Sequence, residues 1–277
     1  MEKNLWIGIV FLLGICVLGY PSFSNYLMQK NGSKLLEGYS QSVSELEQEA
    51  LEKIKKEALI YNENLLGNPV HDPFLKDSGA IMPENYQEVL NVQESMGSVE
   101  IPKIAVDLPI YHGTSDDVLR KGIGHLEGST LPIGGAETHA VLTGHTGATH
   151  AKLFTDLPLL VEGDLFYLHI LDEVLAYKID QIQVIRPEEV TAIKRETGKD
   201  LCTLLTCTPY GVNSHRLLVR GIRVPYEPEA KEQIAKATLL SINKTVLIVG
   251  IATTVIMLDI GIGMVRRKKK ELSDEEE

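Results

Sequence analysis

Hydrophobic and polar positions follow three different patterns along this chain. Residues 5–20, LWIGIVFLLGICVLGY, carry no charge, and their length suits a signal-peptide core or a short membrane span. No small-x-small cleavage site follows, so the run reads as an uncleaved anchor with Trp6 and Tyr20 near its two ends. Further on, Leu35, Leu36, Tyr39, Val43, Leu46, Ala50, Ile54 and Ala58 recur at three- and four-residue steps among Glu, Lys, Gln and Ser. That spacing predicts a helix with one apolar face, which packs on the protein's own core more often than on a partner. The pattern breaks at Asn68-Pro69, Asp72-Pro73 and Met82-Pro83, which predict an irregular region.

From Val99 onward the periodicity changes to short runs, VEIP, LPIYHG, HAVLTG, LFYLHI and EVLAYKIDQIQVI, separated by Gly, Pro and Asp. Short strands with turn signals and one or two brief helices predict a mainly β fold, closed or nearly closed into a barrel. Near the other end, residues 245–265, TVLIVGIATTVIMLDIGIGMV, are long enough to cross a bilayer, and RRKKK follows at once. The positive-inside rule then predicts both termini in the cytoplasm and residues 25–243 outside it. Asp259 is a local defect in this span, at modest cost because it lies close to the basic cluster.

Charge narrows the function classes. The formal net charge is -11, and the basic run at 266–270 is offset by Glu271, Asp274, Glu275, Glu276 and Glu277, so the acidity belongs to the middle of the chain. Such a surface repels nucleic acid, and no basic stripe is present to bind it. With the two apolar ends set aside, about 220 residues remain, enough for one sizeable core with a helical annex.

The chemistry gathers in residues 201–221, LCTLLTCTPYGVNSHRLLVRG, two apolar runs joined by a Pro/Gly/Asn/Ser loop. Strand alternation puts Thr203, Leu205 and Cys207 on one face and Cys202, Leu204 and Thr206 on the other. A lone cysteine is most often a small buried apolar residue. Cys207, however, ends a strand beside a loop, where a thiol is both held and reachable. Cys202 lies five positions earlier, so the two Cα atoms are about 16 Å apart and cannot be bridged. Among the histidines, His139, His145 and His150 match no common zinc spacing. His145 follows a strand and is flanked by Gly144 and Gly147, which lets it project into a cleft.

Three short motifs in this order resemble the sortases, membrane-anchored cysteine transpeptidases of Gram-positive bacteria. Their TLXTC strand motif stands here as Thr203-Leu204-Leu205-Thr206-Cys207, their TGH motif as Thr143-Gly144-His145, and their arginine as Arg216 in HRLLVRG. The resemblance covers residues 97–226. It implies a closed eight-stranded β-barrel in which Cys207 is the nucleophile, His145 the acid and base, and Arg216 the group that holds substrate and oxyanion. It implies no cofactor and no metal.

Upstream, His71-Asp72-Pro73-Phe74 reads as a turn with an anchoring aromatic. Pilin-specific, class C sortases carry an Asp-Pro-aromatic lid in this region, so the resemblance assigns Asp72 and Phe74 to a lid over the catalytic arginine and cysteine. The expected organisation is an N-terminal anchor (1–26), a helical segment (27–66), a lid-bearing region (67–96), a catalytic barrel (97–227), a juxtamembrane segment (228–244), a membrane helix (245–265) and a cytoplasmic charged tail (266–277). The implied activity is cleavage of an LPXTG-type sorting signal and transfer of the acyl group to a lysine of a pilin subunit. The implied partners are pilins and the cell membrane, with no nucleic acid. Anchoring of proteins to cell-wall precursor is the nearest alternative. A thiol protease would use the same Cys and His but has little need of two membrane spans, and a scaffold without catalysis would leave the three motifs as coincidences.

Overall fold

The computed structural model describes residues 2–65, 74, 84–148, 151–189 and 193–240. Two helices come first, α1 (Glu2–Glu45) and α2 (Gln48–Asn64). The strands follow as β1 (Gly97–Ile101), β2 (Val106–His112), β3 (Ile123–His125), β4 (Thr138–Thr143), β5 (Leu165–Ile170), β6 (Glu173–Ile185), β7 (Asp200–Thr208) and β8 (His215–Val224), with a short helix α3 (Asp116–Lys121) before β3. These eight strands close into a barrel in the order β1-β2-β3-β4-β7-β8-β6-β5. The fold is therefore the mainly β closed barrel with short helices that the pattern of short strands predicts, with the eight strands that the resemblance implies. Residues 229–240 belong to a separate compact unit and are helical.

Two pairings are parallel, β2 with β3 and β4 with β7, and the others are antiparallel. The β4–β7 pair matters most, because parallel neighbours deliver the residues after both strands to the same end of the barrel. Strand β4 is buried along its whole length, and β7 is buried at all but its two terminal residues. They read as continuous apolar runs because both faces are covered. Cys202, Leu204, Leu217 and Val219 join the main core with Phe166, Tyr177 and Ile101. On the opposite face, Leu205 and Leu218 join a second apolar cluster with Leu126, Val141 and Ile193.

The amphipathic face of the N-terminal segment packs on the barrel. Tyr39, Val43, Leu51, Ala58 and Tyr61 are part of the main core. Tyr39 Oη donates to Met96 O at 3.0 Å and accepts from Leu171 N–H at 2.8 Å, and burial pushes its phenol up to about 12. Asn62 pairs with both backbone groups of Leu131, at 2.7 and 3.2 Å. The apolar run and the first half of the periodic segment form one unbroken helix, α1.

The expected two-span membrane topology, with the barrel outside and both termini in the cytoplasm, is corrected by the structure. Among the described residues no helix is long and apolar enough to cross a membrane. The uncharged run at 5–20 is shorter than the about 20 residues a bilayer core requires, and it continues without a break into the polar, barrel-packed half of α1. The second expected span at 245–265 and the charged tail at 266–277 lie outside the described residues.

Candidate active site

Three of the residues singled out in the sequence come together through strand register. Cys207 on β7 lies directly opposite Arg216 on β8, and directly opposed residues in an antiparallel pair point to the same face. On the other side of β7, the parallel register aligns Val141 with Thr203 and Thr143 with Leu205. Gly144 N–H continues that pairing by donating to Leu205 O at 3.1 Å. His145 follows Thr143 by two residues and Cys207 follows Leu205 by two, so both lie toward the same end of the barrel. Cys207 and Arg216 thus share the face that carries Leu205 and Leu218, and His145 follows β4 at the same end of the barrel.

Each is held locally. Cys207 is 8 % exposed and Arg216 5 %, whereas His145 is half-buried. Arg216 Nη1 donates to the carbonyls of Asn213 at 3.1 Å and His215 at 3.2 Å, which ties the guanidinium to the turn that enters β8. Ahead of His145, Thr206 Oγ1 donates to Gly144 O at 2.7 Å, and Phe154 N–H donates to His145 O at 3.1 Å. Only glycine fits at position 144, since a Cβ there would lie 2.7 Å from Ile123 Cδ1 and 2.8 Å from Phe154 Cδ2.

Phe74 sits over this group. Its ring lies 5.7 Å from the His145 ring at 40°, and Arg216 Cζ stands 5.0 Å above its centroid, within cation–π range. Phe74 also packs against the second apolar cluster, alongside Ile185. Asp72 lies outside the described residues. Neither Cys202 nor Cys207 forms a disulfide. Burial pushes the Cys202 thiol well above its ordinary value, which makes Cys202 an inert core residue.

A family model described as the sortase domain matches residues 99–224. The structure resembles sortase C from Streptococcus pneumoniae at 44% identity and a TM-score of 0.65, covering 70% of this chain and 97% of that one. The chain belongs to the sortase family. Sortase C1 of GBS Pilus Island 1 is similarly close, at 41% identity and a TM-score of 0.66, over 71% of this chain and 94% of that one. Sortase D of Bacillus subtilis is 30% identical over 152 residues, which is 54% of this chain and 70% of that protein. The family's members are cysteine transpeptidases, and the structural neighbours are class C sortases.

Several polar groups around the candidate site are not apparent from the motifs. Arg220, four residues after Arg216, grips Asp180 through Nε at 3.1 Å and Nη2 at 2.7 Å, and reaches Glu196 through Nη1 at 2.7 Å. His139 bridges Thr203 Oγ1 at 2.7 Å and Lys194 O at 2.8 Å. Together they fasten the connection from β6 to β7, whose Ile193 is part of the cluster beneath Phe74. The one available signal was Arg220 in HRLLVRG, which alternation puts on the same face as Arg216. Among the described residues no group of three or more His, Cys, Asp or Glu could hold a metal ion, and His150 lies outside them.

Proposed function

We propose that this sortase cleaves an LPXTG-type sorting signal through a thioacyl intermediate on Cys207 and transfers the acyl group to a lysine of a pilin subunit. The observation that carries the reading is the register pairing of Cys207 with Arg216, with Phe74 in ring contact with both Arg216 and His145. In the first half-reaction the Cys207 thiolate attacks the threonine carbonyl carbon of the sorting signal. Arg216 faces the same side and donates to the developing oxyanion through a planar fork. His145 gives its proton to the departing glycine amine as the C–N bond breaks, leaving a thioester.

In the second half-reaction neutral His145 takes a proton from the acceptor ε-amine as its nitrogen attacks the thioester carbonyl. The C–S bond breaks, the Cys207 thiolate leaves, and an isopeptide bond remains. Phe74 must move for either half to proceed, since it occupies the face that a substrate would approach. Asp72 is assigned with Phe74 to the lid by the Asp-Pro-aromatic run. Support for a pilin substrate comes from the neighbours: the pneumococcal sortase C structure is described in terms of pilin substrate specificity, and the GBS enzyme comes from a pilus island.

The test is the intact mass of the protein after incubation with a pilin bearing an LPXTG-type signal and no acceptor lysine. The reading predicts an adduct equal to the pilin cut between threonine and glycine, absent in Cys207→Ala. An adduct that persists in Cys207→Ala would place the nucleophile elsewhere.

A further inference from the structure

His145 stands beyond the end of β4, where the strand ladder no longer holds the backbone. Backbone bonds and the Thr206 hydroxyl fix the peptide before it and its own carbonyl, as described above. On the far side the chain turns at Gly147, which adopts φ +70°, and Gly147 N–H donates to Thr155 Oγ1 at 3.0 Å. Tyr210 closes the outer side of that turn, leaving a Cβ on Gly147 only 3.0 Å from Tyr210 Cε2. The hydroxyl itself has a firm base. Thr155 N–H donates to Lys152 O at 2.8 Å, and the neighbouring Phe154 is fully buried with its ring against Gly144.

From this we infer that Thr155 is a positioning residue for His145: its hydroxyl anchors the turn after the histidine as the Thr206 hydroxyl anchors the peptide before it. The inference rests on the acid–base role proposed for His145. Without the acceptor, the Gly147 N–H must find water, and the imidazole samples orientations away from Cys207. Proton transfer depends steeply on such alignment, so the loss falls mainly on kcat.

The full chain carrying Thr155→Val, Thr155→Ala or Thr155→Ser is compared with wild type in two measurements. The first is transpeptidation of a sorting peptide to an amine. Thr155→Val and Thr155→Ala should lower kcat by about tenfold with KM changed less than about twofold, while Thr155→Ser, which keeps the acceptor, stays within about threefold of wild type. The second is the NMR titration of the His145 imidazole, assigned by its loss in His145→Ala. Its midpoint should move in Thr155→Val and Thr155→Ala and not in Thr155→Ser. If kcat and the titration are unchanged in the folded Val and Ala variants, Thr155 is no positioning residue. A displaced titration in a protein whose wild type forms no product would sustain the role of Thr155 while overturning the proposed function.

Discussion

Cys207 and Arg216 are register partners on β7 and β8, and both are almost wholly buried, at 8 % and 5 % exposure. A thiol and a guanidinium held this way face one carbonyl together once Phe74 moves aside. The arrangement also separates the two cysteines of β7, because Cys202 points into the main core. Cys207→Ala is expected to abolish transfer, and Cys202→Ala to retain most of it while losing about 1–3 kcal/mol of stability from the truncated core side chain. Product formation and a urea melt on each variant check this, and equal loss of product in two folded variants would refute it.

Arg216→Lys keeps the charge and discards the planar fork. Transfer should fall roughly a hundredfold, the loss seen when one oxyanion donor is removed. Turnover within about threefold of wild type would mean that backbone N–H groups hold the oxyanion and Arg216 serves another purpose.

Phe74 lies against Arg216 and His145, so its removal should admit reagents to the site. Phe74→Ala and Asp72→Ala are both expected to speed alkylation of Cys207 by a small thiol reagent under native conditions. Unchanged rates in both would reduce the Asp-Pro-Phe run to an ordinary turn.

The buried histidines set a pH dependence of stability. His125 is fully buried between Tyr86, whose hydroxyl is 2.9 Å from Nδ1, and Thr130, whose carbonyl is 2.9 Å from Nε2. Burial pushes its imidazole down to about 4, with Thr130 O opposing and His112 adding to the shift. Burial lowers His112 and His139 in the same direction. A lowered folded-state value means that the unfolded chain binds the proton first as pH falls. The contribution is therefore complete above about 6.5 and is lost between about 6.5 and 4, amounting to roughly 3 kcal/mol for His125. Urea midpoints at pH 7.5, 5.5 and 4.5 should fall steadily, and less steeply in His125→Asn. A flat profile over that range would contradict the assignment.

How far these features were legible in the sequence depends on how local their causes are. The alternation of β7 and the place of Cys207 at its end could be read from strand periodicity, whereas Arg216 was picked out by the family's motifs. The barrel was legible from its short runs and turn signals. Bringing the end of β4, with His145 after it, to the same end of the barrel as Cys207 needed the parallel pairing of β4 with β7, which the chain separates by the whole of β5 and β6. The clamp of Arg220 on Asp180 and Glu196, the bond from Thr155 to Gly147 and the packing of Tyr86 on His125 have no periodic signature, since barrel closure alone makes them neighbours. The apolar run at 5–20 misled for a different reason. Hydropathy describes a segment's preference, and here the same helix continues as a packed element of the barrel domain.

The most direct measurement is made on the full chain mixed with a pilin that carries both an LPXTG-type signal and an intact acceptor lysine. Wild type or Asp72→Ala protein should produce a ladder of pilin multimers that survives boiling in detergent, and the ladder should vanish with Cys207→Ala or when the pilin lysine is changed to arginine. If the pilin is joined only to a cell-wall peptide amine, and never to a second pilin even with the lid residue removed, the pilin-polymerising account is wrong.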